Sequence, residues 1–191
     1  MNFWVLLRCP YRAVVLLSTF LAGCVGVPHL GDSDAVIAAE DIIAGGRASC
    51  RKEITAAPET RNISYQAGNR RYEASLFVPR EAAAGSIATI SGLHKDGRDQ
   101  QQVKNLGRTL ARLGFTVLVP ELVELRRLEV VPTNIDDIAD AVMFLRDSGD
   151  FDFGHGIGII GISYGTGPAV LAGARTDVAA DVDFVMTLGG Y

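Results

Sequence analysis

Read for its apolar positions, the chain alternates runs of period two with stretches of helical period. Ile63 to Gln66 and Arg71 to Val78 read as two strands joined across Gly68-Asn69, a pair suited to a tight hairpin turn. Tyr72, Ala74, Leu76 and Val78 alternate inward, and Pro79 stops the second strand. Ser86 to Ser91 is a short, β-branched third strand. Val103, Leu106, Leu110 and Leu113 keep helical spacing, so a helix is expected from about Asp99 to Leu113, ended by Gly114. Phe115 to Val119 is the next strand, closed by Pro120-Glu121, and Leu122 to Pro132 is a mixed connection that could line a pocket. Ile135, Ile138, Val142 and Leu145 form the buried stripe of a helix that Thr133 or Asn134 can cap. Asp136 and Asp137 suit its positive end and Arg146 its negative end. Ile157 to Ile162 is wholly apolar, as in a buried parallel strand. Gly167 to Gly173 suits a buried helix, and Phe184 to Leu188 a sixth strand. Upstream, Asp32 or Ser33 can cap a short helix through Ile43, and Arg47 to Glu59 is polar without evident chemistry. Strands alternating with helices define an α/β class, a mostly parallel sheet with helices on both faces.

The fifth strand runs into Gly161-Ile162-Ser163-Tyr164-Gly165, which fits G-x-S-x-G. This is the pattern of a nucleophile elbow, a sharp strand-to-helix turn that leaves its serine proud of the sheet. A strained central residue crowds its neighbours two positions away, so glycine is expected at Gly161 and Gly165. Pro168 falls in the first turn of the following helix, where a missing N–H costs little. Strand, turn and helix stand in the required order, which separates this motif from a solvated glycine-rich turn. Gly156, Gly158 and Gly161 also spell G-x-G-x-x-G. A dinucleotide fold needs those glycines after the strand, and here they lie within it.

The first residues carry a different signal. Arg8 and Arg12 precede an apolar run from Ala13 to Val27, and Leu21-Ala22-Gly23 offers small residues before Cys24. That arrangement predicts a secretory signal over residues 1–23. An uncleaved membrane anchor is the alternative, but the run is short for a span. Leu21-Ala22-Gly23-Cys24 resembles the lipobox of bacterial lipoproteins. The resemblance implies cleavage before Cys24, lipid on its sulfur, and attachment to a bacterial membrane on the periplasmic or extracellular side. Residues 24–61 would then be a tether with a short helix, and 62–191 the folded domain. Losing Arg8 and Arg12 while keeping all 22 acidic residues makes the remainder more acidic than the −4 of the whole chain. That balance argues against a second, electrostatic attachment to anionic lipid. Cys50 would be the one cysteine neither removed nor lipidated, and it is expected to be an unpaired, packed residue.

With 191 residues, 48% of them hydrophobic, the chain can bury a sizeable single core. No basic stripe with interleaved aromatics suggests nucleic acid. The three cysteines and the histidines His29, His94 and His155 show no metal-ligand spacing, so neither a metal nor a cofactor is expected. His155 precedes the elbow strand, at the end opposite Ser163.

Three stretches together resemble the α/β-hydrolase superfamily, closest to its bacterial esterase-like and dienelactone-hydrolase-like members. They are Ile90-Ser91-Gly92-Leu93-His94, Gly114-Phe115-Thr116-Val117-Leu118-Val119-Pro120, and the elbow itself. The resemblance covers roughly Asn62 to Tyr191. It implies Ser163 as nucleophile, and an oxyanion hole from the N–H of Tyr164 and that of Leu93 or His94. Gly92 would let that backbone come close. The His94 ring either acts as base or, as favoured here, orders its loop. Lys95, Asp96, Arg98 and Asp99 read as solvated loop charges. The family's catalytic acid and histidine follow later strands, and no histidine lies downstream of Ser163. A serine without a base is a weak nucleophile. The expected function is thus a lipid-anchored serine hydrolase acting on a small-molecule ester or related acyl bond. It is incomplete over these residues, with the strands after the sixth missing. The alternative is an envelope lipoprotein that keeps the fold for binding or structure.

Overall fold

The computed structural model describes residues 34–149, 151 and 153–190. The predicted signal, lipobox, Cys24, tether, and Asp32 or Ser33 cap all lie outside them. The described residues fall into two compact units, one up to Ala57 and one from Pro58 onward.

The first unit holds helices α1 (Asp34–Ala44) and α2 (Cys50–Ile54). Sequence patterning missed α2, a single turn whose start Ser49 caps by accepting the Lys52 N–H at 3.3 Å. The same hydroxyl bonds to buried Asp41, which also receives Lys52 Nζ at 2.6 Å. Cys50 packs on Ile37 and is disulfide-bonded. The expectation of an unpaired cysteine is therefore wrong.

The second unit is a six-stranded sheet: β1 (Glu59–Ala67), β2 (Arg70–Val78), β3 (Gly85–Ile90), β4 (Phe115–Pro120), β5 (Ile157–Ile162) and β6 (Val182–Leu188). Their spatial order is β1-β2-β4-β3-β5-β6. β1, β2 and β4 pair antiparallel, while β4, β3, β5 and β6 pair parallel. Ala67 faces Arg70 across Gly68-Asn69, with Gly68 at φ +55°, so the hairpin turn is where the dipeptide placed it. β1 runs longer than its apolar alternation suggested, because Glu59 to Asn62 also pair in register with β2.

Helices α3 (Gln101–Arg112), α5 (Thr133–Asp147) and α6 (Thr166–Gly173) cover the sheet, with a single turn, α4 (Val123–Arg126), after β4. The pleat sorts the core into two layers. Tyr72, Leu76, Ala88, Ile90, Leu118 and Ile159 share a cluster with Ile138, Val142 and Ala169 of α5 and α6. Phe77, Val117 and Val119 meet Val103 and Ala111 of α3 on the other face. β2 is therefore buried on both faces, since Ser75 and Phe77 are inside along with Ala74 and Leu76. Helices on both faces of a mostly parallel sheet match the expected class.

Asn134 does not cap α5. Its Oδ1 turns back to accept the Val131 N–H at 3.0 Å, and Pro132 occupies the cap position. Asp137 and Asp140 instead pin the sheet to α5. Arg70 reaches them at 2.6 and 2.8 Å, and the Tyr72 hydroxyl lies 3.0 and 2.6 Å from their oxygens. Burial holds the Asp137 carboxyl above its ordinary range, against the Tyr72 hydrogen bond and the Arg70 charge.

Candidate active site

β3 and β5 end side by side, with Ile90 opposite Gly161. The chain leaves β5 through a tight turn, Ser163–Gly165, directly into α6. Ser163 sits at φ +50°, the left-handed region that costs a non-glycine residue about 1–2 kcal/mol. The turn is tied from behind: the Thr166 hydroxyl donates to the Ser163 carbonyl at 2.7 Å. Ser163 is partly exposed, and Tyr164 beside it is 52% exposed. The N-terminus of the eight-residue α6, with its partial positive charge, lies just past the serine.

Both elbow glycines are required by space, but not for one shared reason. A Cβ on Gly161 would lie 2.7 Å from Thr166 Cα and 2.9 Å from both Ala169 Cβ and the Gly165 carbonyl oxygen. A Cβ on Gly165 would instead strike β3, 2.5 Å from the Ser91 carbonyl oxygen and 3.1 Å from that of Ile90. Mutual crowding across the turn therefore accounts for Gly161, while Gly165 answers to the neighbouring strand.

Gly92 completes the contact between the two loops. A Cβ there would lie 3.0 Å from Ser163 Cβ and 3.6 Å from Ser163 Oγ. The backbone after β3 thus runs past the serine, which puts Leu93 and His94 just beyond it in the chain. Leu93 packs against the core. His94 Nδ1 accepts the Asp96 N–H at 3.1 Å and lies 3.6 Å from Asp96 Oδ2. That hydrogen bond ties the ring to its own loop. Among the described residues no hydrogen bond joins Ser163 Oγ to a base. His155 lies at the opposite end of β5, where its N–H donates to Ala84.

Arg98 is not a solvated loop charge. Its side chain is 15% exposed, and its Nε lies 3.4 Å from the Glu121 carboxylate, itself 11% exposed. Sequence reasoning missed this pair because Glu121 looked like the polar end of β4. The only available signal was a Gly-Arg step before one helix and a glutamate directly after the next strand.

Two cavities lie away from the serine. One, about 790 Å³, is lined by β1 and α5, including Tyr65, Phe144 and Phe151. The other, about 270 Å³, lies at the far end of β5 beside His155. No cluster of three metal-ligating side chains occurs among the described residues, and none of their helices is long and apolar enough to cross a membrane.

Comparison with protein-family models and with curated proteins finds no match. Solved structures do match. A dienelactone hydrolase from Anabaena variabilis aligns at a TM-score of 0.57 and 22% identity, over 71% of this chain and 65% of its own. Brefeldin A esterase, a bacterial homologue of human hormone sensitive lipase, aligns at 0.57 and 17%, over 92% and 55%. An esterase of Pyrococcus furiosus aligns at 0.55 and 12%, over 70% and 51%. The chain therefore has the α/β-hydrolase fold. It spans between half and two thirds of the length of these neighbours.

Proposed function

We propose that this chain carries the nucleophile and oxyanion half of a serine hydrolase acting on a small-molecule ester or related acyl bond. The observation that supports it best is Ser163 held at φ +50° against Gly92, at the carboxyl ends of two parallel strands. Strain at one polar residue, beside a loop kept close by glycines, has a ready use in catalysis. In the proposed step Ser163 Oγ bonds to the acyl carbon and the carbonyl electron pair moves onto oxygen. That oxyanion receives the N–H of Tyr164 and the N–H of Leu93 or His94. The serine proton goes to a base, which gives it to the leaving oxygen as the tetrahedral centre collapses, so that an alcohol departs and the acyl group stays on Ser163 Oγ. The likeness to a dienelactone hydrolase and to esterases favours a small ester as substrate.

In this reading the base and its acid come from chain that would follow β6, so these residues are an incomplete hydrolase. The exposed apolar side chains of β6 and the partial span of the neighbours support that. The engaged His94 ring favours a second reading, an envelope lipoprotein that binds without catalysing. Fluorophosphonate labelling of the purified chain, with Ser163→Ala as control, tests for an activated serine: labelling lost in the control supports one, and a folded sample that does not label leaves the incomplete hydrolase or the binding lipoprotein.

The lipid anchor on Cys24 and the bacterial envelope location belong to the same reading. A disulfide from Cys50 to either other cysteine, Cys9 or Cys24, would compete with the anchor. Maturation would remove the first and alkylate the second. Peptide mass mapping of the cell-derived protein decides: a diacylglyceryl Cys24 supports the anchor, and a Cys24–Cys50 peptide overturns it.

A further inference from the structure

We infer that Glu121 is a positioning residue, setting the backbone of the loop after β3 that faces Ser163 through Gly97 and Arg98. The inference rests on the reading of Ser163 as nucleophile. Glu121 is well placed to act as a fixed post. It follows the last residue of β4, and its N–H donates to the Glu73 carbonyl of β2 at 2.8 Å. Its carboxylate therefore sits on the sheet rather than on a mobile segment.

The loop closes onto that post. Gly97 stands at φ +49°, and a Cβ there would lie 2.5 Å from Glu121 Oε1, so the loop backbone rests against the carboxylate with no room for a side chain. Arg98 Nε lies 3.4 Å from Glu121 Oε2, and Arg126 Nη1 of α4 reaches the same oxygen at 3.0 Å. Arg98 Nε and Nη1 and Glu121 Oε1 are buried and make no hydrogen bond. Glu121 is thus shared between Arg98 and Arg126, and the buried Arg98 is sensitive to the loss of that carboxylate. From Gly97 the constraint runs back to the serine. The Gly97 N–H donates to the His94 carbonyl at 2.8 Å, and two residues before that turn the backbone passes so near Ser163 that a Cβ on Gly92 would lie 3.0 Å from Ser163 Cβ. Glu121 touches neither the serine nor the expected position of a substrate. It acts through the backbone of His94 and Leu93, whose N–H groups are the candidate oxyanion donors.

The test compares wild type with Glu121→Gln, which keeps the shape and removes the charge, and Glu121→Asp, which keeps the charge and shortens the reach. Thermal melts first identify a temperature at which all three are folded. Fluorophosphonate labelling then gives kinact and KI separately. A displaced donor should lower kinact about 10- to 100-fold for Glu121→Gln, with KI unchanged and Glu121→Asp between it and wild type. Equal kinact in all three folded proteins overturns the inference, since a purely structural role would move the melt alone. Hydrogen exchange keeps the question separate from catalysis. Amides of residues 93–98 should exchange about tenfold faster in Glu121→Gln, with the sheet unchanged. If wild type fails to label, as a serine without its base does, the exchange result alone decides whether Glu121 sets the loop. Unchanged exchange over 93–98 overturns it.

Discussion

Gly165→Ala tests the contact on which the site geometry depends. Gly165 has φ −67° and ψ −12°, a conformation open to any residue, so its cost on substitution is steric alone. The added methyl would sit 2.5 Å from the Ser91 carbonyl oxygen, and 3.1 Å from both the Ile90 carbonyl oxygen and Ile90 Cγ2. Ordinary contacts between such atoms lie near 3.5 Å, so the largest overlap is about 1 Å. β3 cannot yield easily, because it is paired to β4 as far as Ala88 and to β5 as far as Ile90. The elbow must move instead. Overpacking of this kind costs roughly 1–3 kcal/mol, and the upper end applies when two carbonyls are struck. Restricting the unfolded chain returns about 0.4–1 kcal/mol, leaving a net loss of about 2 kcal/mol. With a urea m-value of about 2 kcal/mol/M, the midpoint followed by circular dichroism should fall by about 1 M. Gly167→Ala is the internal control. It lies two residues on, in the first turn of α6, with nothing within 4 Å of a new Cβ. There the same substitution should stabilise by about 0.5–1 kcal/mol. If the two variants share a midpoint, contact with β3 does not govern Gly165, and the account of the elbow is wrong.

Ser163→Gly should be more stable than Ser163→Ala by about 0.5–1 kcal/mol, since glycine relieves the positive φ at some cost in unfolded-chain entropy. Denaturation of both variants measures it, and equal stabilities would show that the turn stores no strain. Asp137 sets a pH dependence. Burial holds its carboxyl above the ordinary 3.8, so the folded state keeps the proton to higher pH than the unfolded one. Its favourable contribution is complete below 3.8 and is lost as the pH rises from there through the folded value. Asp137→Asn should therefore show a more positive slope of stability against pH over that interval, read from urea midpoints. An unchanged slope would count against a raised value. β6 exposes Phe184, Val185, Met186 and Leu188, with Met186 at 47%, along a strand paired on one side only. The purified chain should self-associate as its concentration rises, and Met186→Lys should lower the mass seen by light scattering after gel filtration. An unchanged mass would show that this edge is not the sticky surface.

Local information in the sequence determined the elements and the position of the elbow. The period of two in β2, the helical stripe of Val103 and Leu106, and the apolar run of β5 are set by which side must leave water, and that pattern is written residue by residue. Gly161 and Ser163 were legible for a similar reason, since a strained turn limits which residues can stand within two positions of it. Tertiary structure decided what no such window contains. The Gly165 requirement comes from Ser91, more than seventy residues away, because β3 and β5 end in register. Arg98 and Glu121 are separated by a whole helix and strand. Each looked like a surface charge until packing removed water from between them. His94 could have served as a base or as part of its loop, and the fold committed its ring to the Asp96 N–H. In each case the deciding quantity was a distance between groups remote in sequence, set by the pairing of strands and not by the residues themselves.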